Sequence, residues 1–370
     1  MRNRCSVLAL SLWGSLAFAD CNYADPRLYN ELLFSSVPSS VSSLMAGENN
    51  TIYQGGFTFP GGDTTQLPTQ ASVESLCAAA SATGAPLITL DIESWDTSSS
   101  SARAATKTKW ETVLGWCRTQ ITASQEIGAY GEAPIRDYVR AIQTVNSCED
   151  VETCTGAQAY AEWQSHNDQM NFSASADALY PSIYLFYYEQ APYTNTLAYA
   201  EAQLDEAERL CPTCTIAPFI WPFFHESGDM AGGITSISTA NPAVVDTDDT
   251  HNIETGMTVY LTGGDVPASI KNVPLRVTRI DSDEFSLDGV NGSGFSYTSG
   301  GSYQATIPNG QWVKLLERIG EHTNKAVLWG GSGITWKSTV PWWETTEKYI
   351  ECKPATFNYG LSREVRIRRQ

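Results

Sequence analysis

Six short apolar runs recur along the chain, each ending in polar or aromatic residues and separated by stretches with helical periodicity. The runs are Thr51 to Phe57, Leu87 to Ile92, Glu126 to Tyr130, Ala178 to Phe186, Thr215 to Trp221 and Lys325 to Trp329. Helical patterns cover 71–83, 102–121, 134–146, 156–170, 195–210 and 310–322. That rhythm indicates parallel strands joined by helical crossovers, an α/β architecture. With one or two further strands near the N-terminus, a (β/α) TIM-like barrel fits better than an open doubly wound sheet. Polar and aromatic residues follow nearly every run, whereas an open sheet concentrates its ligand groups at one switch point.

The rhythm fails between residues 235 and 303. Helical patterns vanish there, and short alternating stretches such as MTVYLTGG, LRVTRIDSDEFSL and GFSYTSGG are bounded by Gly, Asp and Asn turns. A small all-β insert is expected, dividing the barrel into residues 20–234 and 304–370. Its pattern is similar to the compact β-modules of phage tails and other bacterial surface proteins.

The first nineteen residues read as a secretory signal: Arg2 and Arg4, an apolar run from Val7 to Phe18, and the small-x-small triplet Ala17-Phe18-Ala19. Cleavage after Ala19 would leave eight of the nine cysteines, an even number that implies disulfides in an exported chain. The local pairs Cys148 with Cys154 and Cys211 with Cys214 are the expected bridges. A formal net charge of −18 argues against nucleic acid and membrane surfaces as partners and makes a neutral or cationic polymer easier to bind than an anionic one. No cofactor or metal is expected, because a Gly-rich phosphate loop is missing and His166, His225, His251 and His322 have no zinc-binding spacing. Oligomeric state is not readable.

The chemistry concentrates where the runs end. LITLDIESW places Asp91 and Glu93 two residues apart, so both project from one face of a strand, with Trp95 just beyond. Other run ends supply Tyr130 and Glu132, then Tyr184, Tyr187 and Glu189, then Trp221, His225 and Glu226, then Trp329. Barrel geometry brings such positions together, and Tyr and Trp offer apolar faces with a polar edge that suit a sugar ring. Cα atoms two residues apart on a strand are about 6.6 Å apart on the same side. An ordinary acid and nucleophile must instead flank the sugar from opposite faces. The pair better suits substrate assistance, in which a neighbouring acetamido group attacks the anomeric carbon. Glu93 would protonate the leaving oxygen, while Asp91 orients the acetamido nitrogen and helps keep Glu93 protonated by like-charge repulsion.

The order LDIESW, GAYGEAP, YPSIYL, an apolar strand rich in Pro and aromatics, and VLWGG resembles the hyaluronidase family of glycoside hydrolases over roughly residues 50 to 340, insert excluded. The resemblance implies a TIM barrel with Glu93 as acid/base, Asp91 as the acetamido-positioning group, Tyr130 and Tyr184 as pocket hydroxyls and Trp329 as the wall under the sugar. Trp95, Trp221 and Glu226 complete the expected substrate-binding set. Ile92 and Ser94 stand where the family has Trp and Glu, and Asp96-Thr97 replaces Arg-Pro, which removes a cation from the expected cleft. The combined expectation is a secreted hydrolase of an N-acetylhexosamine-containing polysaccharide. Two other readings remain open: a two-carboxylate hydrolase of a neutral glycan, pairing Glu93 with Glu132, Glu189 or Glu226, and a non-catalytic glycan binder or adhesin.

Overall fold

A computed structural model describes residues 26–143, 155–189, 192–226 and 230–351. The signal segment and the Cys148–Cys154 pair lie outside the described residues. The chain opens with β1 (Arg27–Leu32), the short helix α1 (Ser39–Leu44) and β2 (Gly47–Tyr53). It continues through α2 (Gln70–Ala82), β3 (Leu87–Asp91), α3 (Ser100–Arg118) and β4 (Glu126–Ala129). Next come α4 (Thr155–Met170), β5 (Ala178–Leu179), α5 (Thr194–Leu210), β6 (Thr215–Ile216) and β7 (Phe219–Ile220). Six antiparallel strands follow: β8 (Ala231–Ile237), β9 (Val244–Thr247), β10 (Thr258–Thr262), β11 (Leu275–Arg279), β12 (Glu284–Leu287) and β13 (Ser302–Ala305). The chain then returns to helix and parallel strand with α6 (Asn309–His322), β14 (Lys325–Gly330) and α7 (Pro341–Glu351).

Six parallel strands run in the order β4-β3-β2-β1-β14-β7. The two ends of this sheet are joined through residues 178–183, where Gly131 N donates to Tyr180 O at 2.9 Å and Ile183 N to Phe219 O at 2.9 Å. The parallel strands therefore form a (β/α) barrel, with helices packed outside. Expected strands at 178–186 and 215–221 are cut short by Pro181 and Pro218, which cannot donate to a ladder. Residues 135–143 form turns where a helix was expected, because Asp137 Oδ1 takes the amides of Val139 (3.1 Å) and Arg140 (2.7 Å) and so offers the backbone a competing arrangement. The unplaced N-terminal strand is β1, which lies between β14 and β2.

Two apolar layers result. Outside the strands, α3 buries Trp110, Val113, Leu114 and Cys117 against the sheet, and its start is capped by Ser99 Oγ, which accepts from Ala102 N at 3.1 Å. Inside the barrel, Tyr29, Leu87, Tyr180, Ala217, Phe219 and Val327 pack into a floor. Closure depends on close approach at Gly128, where an added Cβ would sit 2.0 Å from the carbonyl oxygen of Ala178. Only glycine lets β4 come this near to β5.

The antiparallel strands close into their own barrel, in the order β10-β11-β12-β9-β8-β13. It is filled by Val245, Leu261, Val277, Phe285 and Tyr303, all buried. Its two connections to the parallel barrel are zipped together: Phe224 N donates to Ala305 O at 3.1 Å and Ile307 N to Pro222 O at 3.0 Å. Phe223 also stands edge-on to Tyr260 with ring centroids 4.9 Å apart.

Two disulfides lie among the described residues. Cys211–Cys214 closes the short turn after α5, as expected, while Cys77–Cys117 ties α2 to α3 across 40 residues and was not foreseen. A closed loop of that length corresponds to about 4 kcal/mol in the chain-entropy account. Replacing both Cys77 and Cys117 by Ala should lower unfolding free energy by roughly 2 to 4 kcal/mol, read as a reduced urea midpoint with little change in activity. Opening Cys211–Cys214 in the same way should cost markedly less.

Candidate active site

At the carboxyl ends of the parallel strands an open cavity of about 270 Å³ is lined by residues from six of them or the turns that follow. Thr51 and Tyr53 come from β2, Asp91 and Glu93 from the end of β3, Tyr130 and Arg136 from the segment after β4, and Trp329 from β14. Tyr184 contributes from the 178–185 segment, while Phe219, Trp221, His225 and Glu226 come from β7 and its continuation. Of the eight residues expected at a site, seven share this cavity: Asp91, Glu93, Tyr130, Tyr184, Trp221, Glu226 and Trp329.

Trp95 is the correction. It is buried away from the cavity, edge-on to Trp110 with centroids 4.9 Å apart, and its Nε1 donates to Gln66 O at 3.1 Å. The strand ends at Asp91, so the alternation that placed Trp95 with Asp91 and Glu93 does not extend that far. Two of the alternative second acids are also placed elsewhere. Glu189 accepts from the amides of Asn195 and Thr196, both at 2.9 Å, and so caps the start of α5. Glu132 is buried and does not line the cavity, and burial pushes its carboxyl up to about 8. Tyr187 faces away as well, donating to Tyr138 O at 2.7 Å.

The cavity walls are mutually braced aromatics. Tyr184 stacks on Trp329 at 5.6 Å, Trp221 meets Trp329 edge-on at 5.1 Å, and Tyr130 lies 6.0 Å from Tyr184. Tyr130 OH is 3.0 Å from Ser182 Oγ, a hydrogen bond that fixes the phenol. Beneath them runs a polar chain that the sequence reading missed. Trp329 Nε1 donates to Tyr53 OH at 3.0 Å, Tyr53 OH donates to Glu31 Oε1 at 3.3 Å, and Asn49 Nδ2 donates to Glu31 Oε2 at 2.8 Å. Thr89 Oγ1 in turn donates to Asn49 Oδ1 at 2.9 Å. The alternation of β1 (RLYNEL) would have exposed Glu31 as a strand-end acid had that strand been placed.

The acids differ in their surroundings. Asp91 is pushed up to about 7, first by burial and then by the charge of Glu93, with Arg136 pulling the other way. Its Oδ1 is buried with no hydrogen-bond partner among the described residues, and so is Trp221 Nε1, a donor on the same cavity wall. Glu93 is half exposed and ion-paired with the Arg136 guanidinium, which lies 5.4 Å over the face of Tyr130. Arg136 corrects the expectation of a cleft without a cation. The charge is supplied from the segment after β4, in GEAPIRDY, and not from the residues after Trp95.

One His and acid group gathers elsewhere among the described residues, on α5 and α6: Glu201, Asp205 and His322. Glu201 already accepts from Arg318 at 2.7 Å and lies 3.0 Å from His322 Nε2, so this group clasps two helices.

No family model matches the chain, and no curated protein does. Among solved structures it is similar to the spore cortex-lytic enzyme SleL of Bacillus cereus, at 9% identity over 89% of this chain and 74% of that one, with a TM-score of 0.40. It is also similar to a chitinase from Chromobacterium violaceum, at 8% identity over 88% and 90%, with a TM-score of 0.32. A third likeness is to a chitinase-like agglutinin from Robinia pseudoacacia, at 8% identity over 82% and 100%, with a TM-score of 0.29. Likeness at this level carries no weight for the reaction, which is read from the site alone.

Glu31 and Asp91 both titrate near 7 when folded, against ordinary values of 4.5 and 3.8. The folded state therefore binds more protons than the unfolded state between those values, and stability falls as pH rises from about 4 to about 7. Glu31 alone accounts for a difference on the order of 3 kcal/mol. Glu31→Gln should flatten this dependence, with a higher urea midpoint than wild type at pH 8 and a smaller gain at pH 5.

Proposed function

We propose that this chain is a secreted glycoside hydrolase that cleaves an N-acetylhexosamine-containing polysaccharide, as in the hyaluronidase-like scheme. Glu93 would act as acid/base and Asp91 as the group that orients the acetamide. The observation that carries the proposal is a single cavity in which this acid pair faces Tyr130, Tyr184, Trp221 and Trp329. At about 270 Å³ it lies near the small end of ligand pockets, which span about 300 to 1,000 Å³, and it suits one buried ring more than a long stretch of polymer. The signal-like N-terminus and the two disulfides fit an exported protein. Among the described residues no helix is long and apolar enough to cross a membrane.

Proton bookkeeping follows from the surroundings of the two acids. In the ligand-free site burial favours the protonated form of Asp91, while Glu93 is ion-paired with the Arg136 guanidinium. An acetamido N–H donated to Asp91 favours the ionised form of that carboxyl, and its proton then passes to Glu93. Glu93 gives it to the glycosidic oxygen as the C1–O bond breaks and the acetamido carbonyl oxygen bonds to C1. Water then attacks C1, the ring formed by the acetamide reopens, and Glu93 takes up the proton the water loses.

A second reading pairs Glu93 with Glu226, the one alternative acid that also lines the cavity. It predicts turnover of glycans lacking any acetamido group, which the first reading forbids.

Incubation with a panel of neutral and acidic polysaccharides and sizing of the products tests both. Glu93→Gln should lower kcat by about 10²- to 10⁴-fold while leaving substrate binding in place, and Asp91→Asn should lower kcat only on acetamido sugars. A Glu93→Gln chain with the wild-type rate would end the proposal.

A further inference from the structure

Arg136 enters the cavity from the segment after β4, and no motif in the sequence placed it there. It reaches Glu93 across the mouth of the site, lies over the Tyr130 ring with its guanidinium carbon 5.4 Å from the centroid, and is about one third exposed. Gly131, five residues earlier, has a positive φ of 64°. An added Cβ there would lie 3.3 Å from Arg136 Cδ and Nε, so the turn and the arginine stem are packed against each other. A planar cation braced on an aromatic face and on a turn is held in place, unlike a freely moving surface arginine.

We infer that Arg136 is a positioning residue that holds Glu93 at the cavity mouth through their ion pair and sets the pH window of the site. The inference rests on the hydrolase reading for its kinetic consequences, but not for its electrostatics. Besides Glu93, the charged or titratable groups around Arg136 are Asp91 on β3, Tyr130 and Glu132 on the segment after β4, Tyr138 on the following turn, Tyr199 on α5 and His225 beyond β7. Glu226 shares the cavity and acts on His225.

The sign follows from these neighbours. Removing the guanidinium leaves Asp91 with burial and the Glu93 charge, both of which favour its protonated form, and takes away the group that opposes them. Loss of that opposite charge moves the Asp91 titration upward. Both limbs of the activity profile, which report the macroscopic steps of the pair, should then move upward together. A side chain that merely supported the loop would lower kcat and leave the limbs in place.

The test compares wild type, Arg136→Gln and Arg136→Lys in two measurements. In the first, the Asp91 carboxyl of the ligand-free protein is titrated by carbon NMR. Arg136→Gln should titrate about one pH unit higher than wild type, whereas Arg136→Lys, which keeps the charge and loses the planar fork, should titrate with wild type. In the second, kcat/KM is followed against pH on whichever glycan the panel identifies. Both limbs should rise in Arg136→Gln, and in Arg136→Lys the rate should fall severalfold on an unmoved profile.

An unchanged Asp91 titration in Arg136→Gln overturns the inference, as does a displaced profile in Arg136→Lys. The lysine variant keeps the test open if the glutamine variant does not fold. If the titration moves as expected but no glycan is cleaved by wild type, the role of Arg136 stands and the hydrolase reading falls.

Discussion

Placing carboxylates over an apolar floor is the constraint from which the rest of this site follows. Tyr180, Phe219, Leu87 and Val327 fill the barrel beneath the cavity, so an acid at the end of β3 loses most of its water. A carboxyl in that position holds its proton unless a cation or donor compensates. The buried Oδ1 of Asp91 has no hydrogen-bond partner among the described residues, whereas Glu93, two residues later and nearer solvent, is ion-paired with Arg136. Two acids of the same chemistry thereby meet different surroundings within a few ångströms of depth.

The same floor explains why the aromatic walls hold their shape. Trp329, Tyr53 and Glu31 form a hydrogen-bonded chain that reaches down between β1, β2 and β14, and each link fixes the orientation of the one above it. Glu31 remains protonated well above its ordinary range because burial outweighs the bonds that Asn49 and Tyr53 donate to it. The antiparallel barrel stands apart from this machinery. Its entry and exit strands are hydrogen-bonded to each other at Phe224 and Ala305, and a module of some seventy residues inserted between β7 and α6 also meets the segment after β14, where Thr335 N donates to Asn272 O at 3.0 Å.

Much of the fold could be read in the sequence because periodicity is local. The helices over 70–82, 100–118, 194–210 and 309–322 fall within a few residues of their expected bounds, and the loss of helical pattern near residue 235 marks the change to antiparallel strands. The misreadings have local causes as well. Pro181 and Pro218 broke two strands, Asp137 diverted a helix into turns, and β1 went unplaced because Asn30 and Glu31 hid its burial. At the cavity, the residues found in advance were those at strand ends, where alternation fixes direction. Trp95 was misplaced because the strand stops four residues before it.

The sequence by itself determined that parallel strands would end in acids and aromatics, since the order of residue types along each strand dictates which side chains share a face. Only the tertiary structure decided which charge sits beside which acid. Arg136 lies 43 residues beyond Glu93 in the chain and reaches it because β4 packs beside β3. That neighbour relation, and the dryness of the floor below, belong to the closed barrel and to no stretch of sequence. They set where the proton rests.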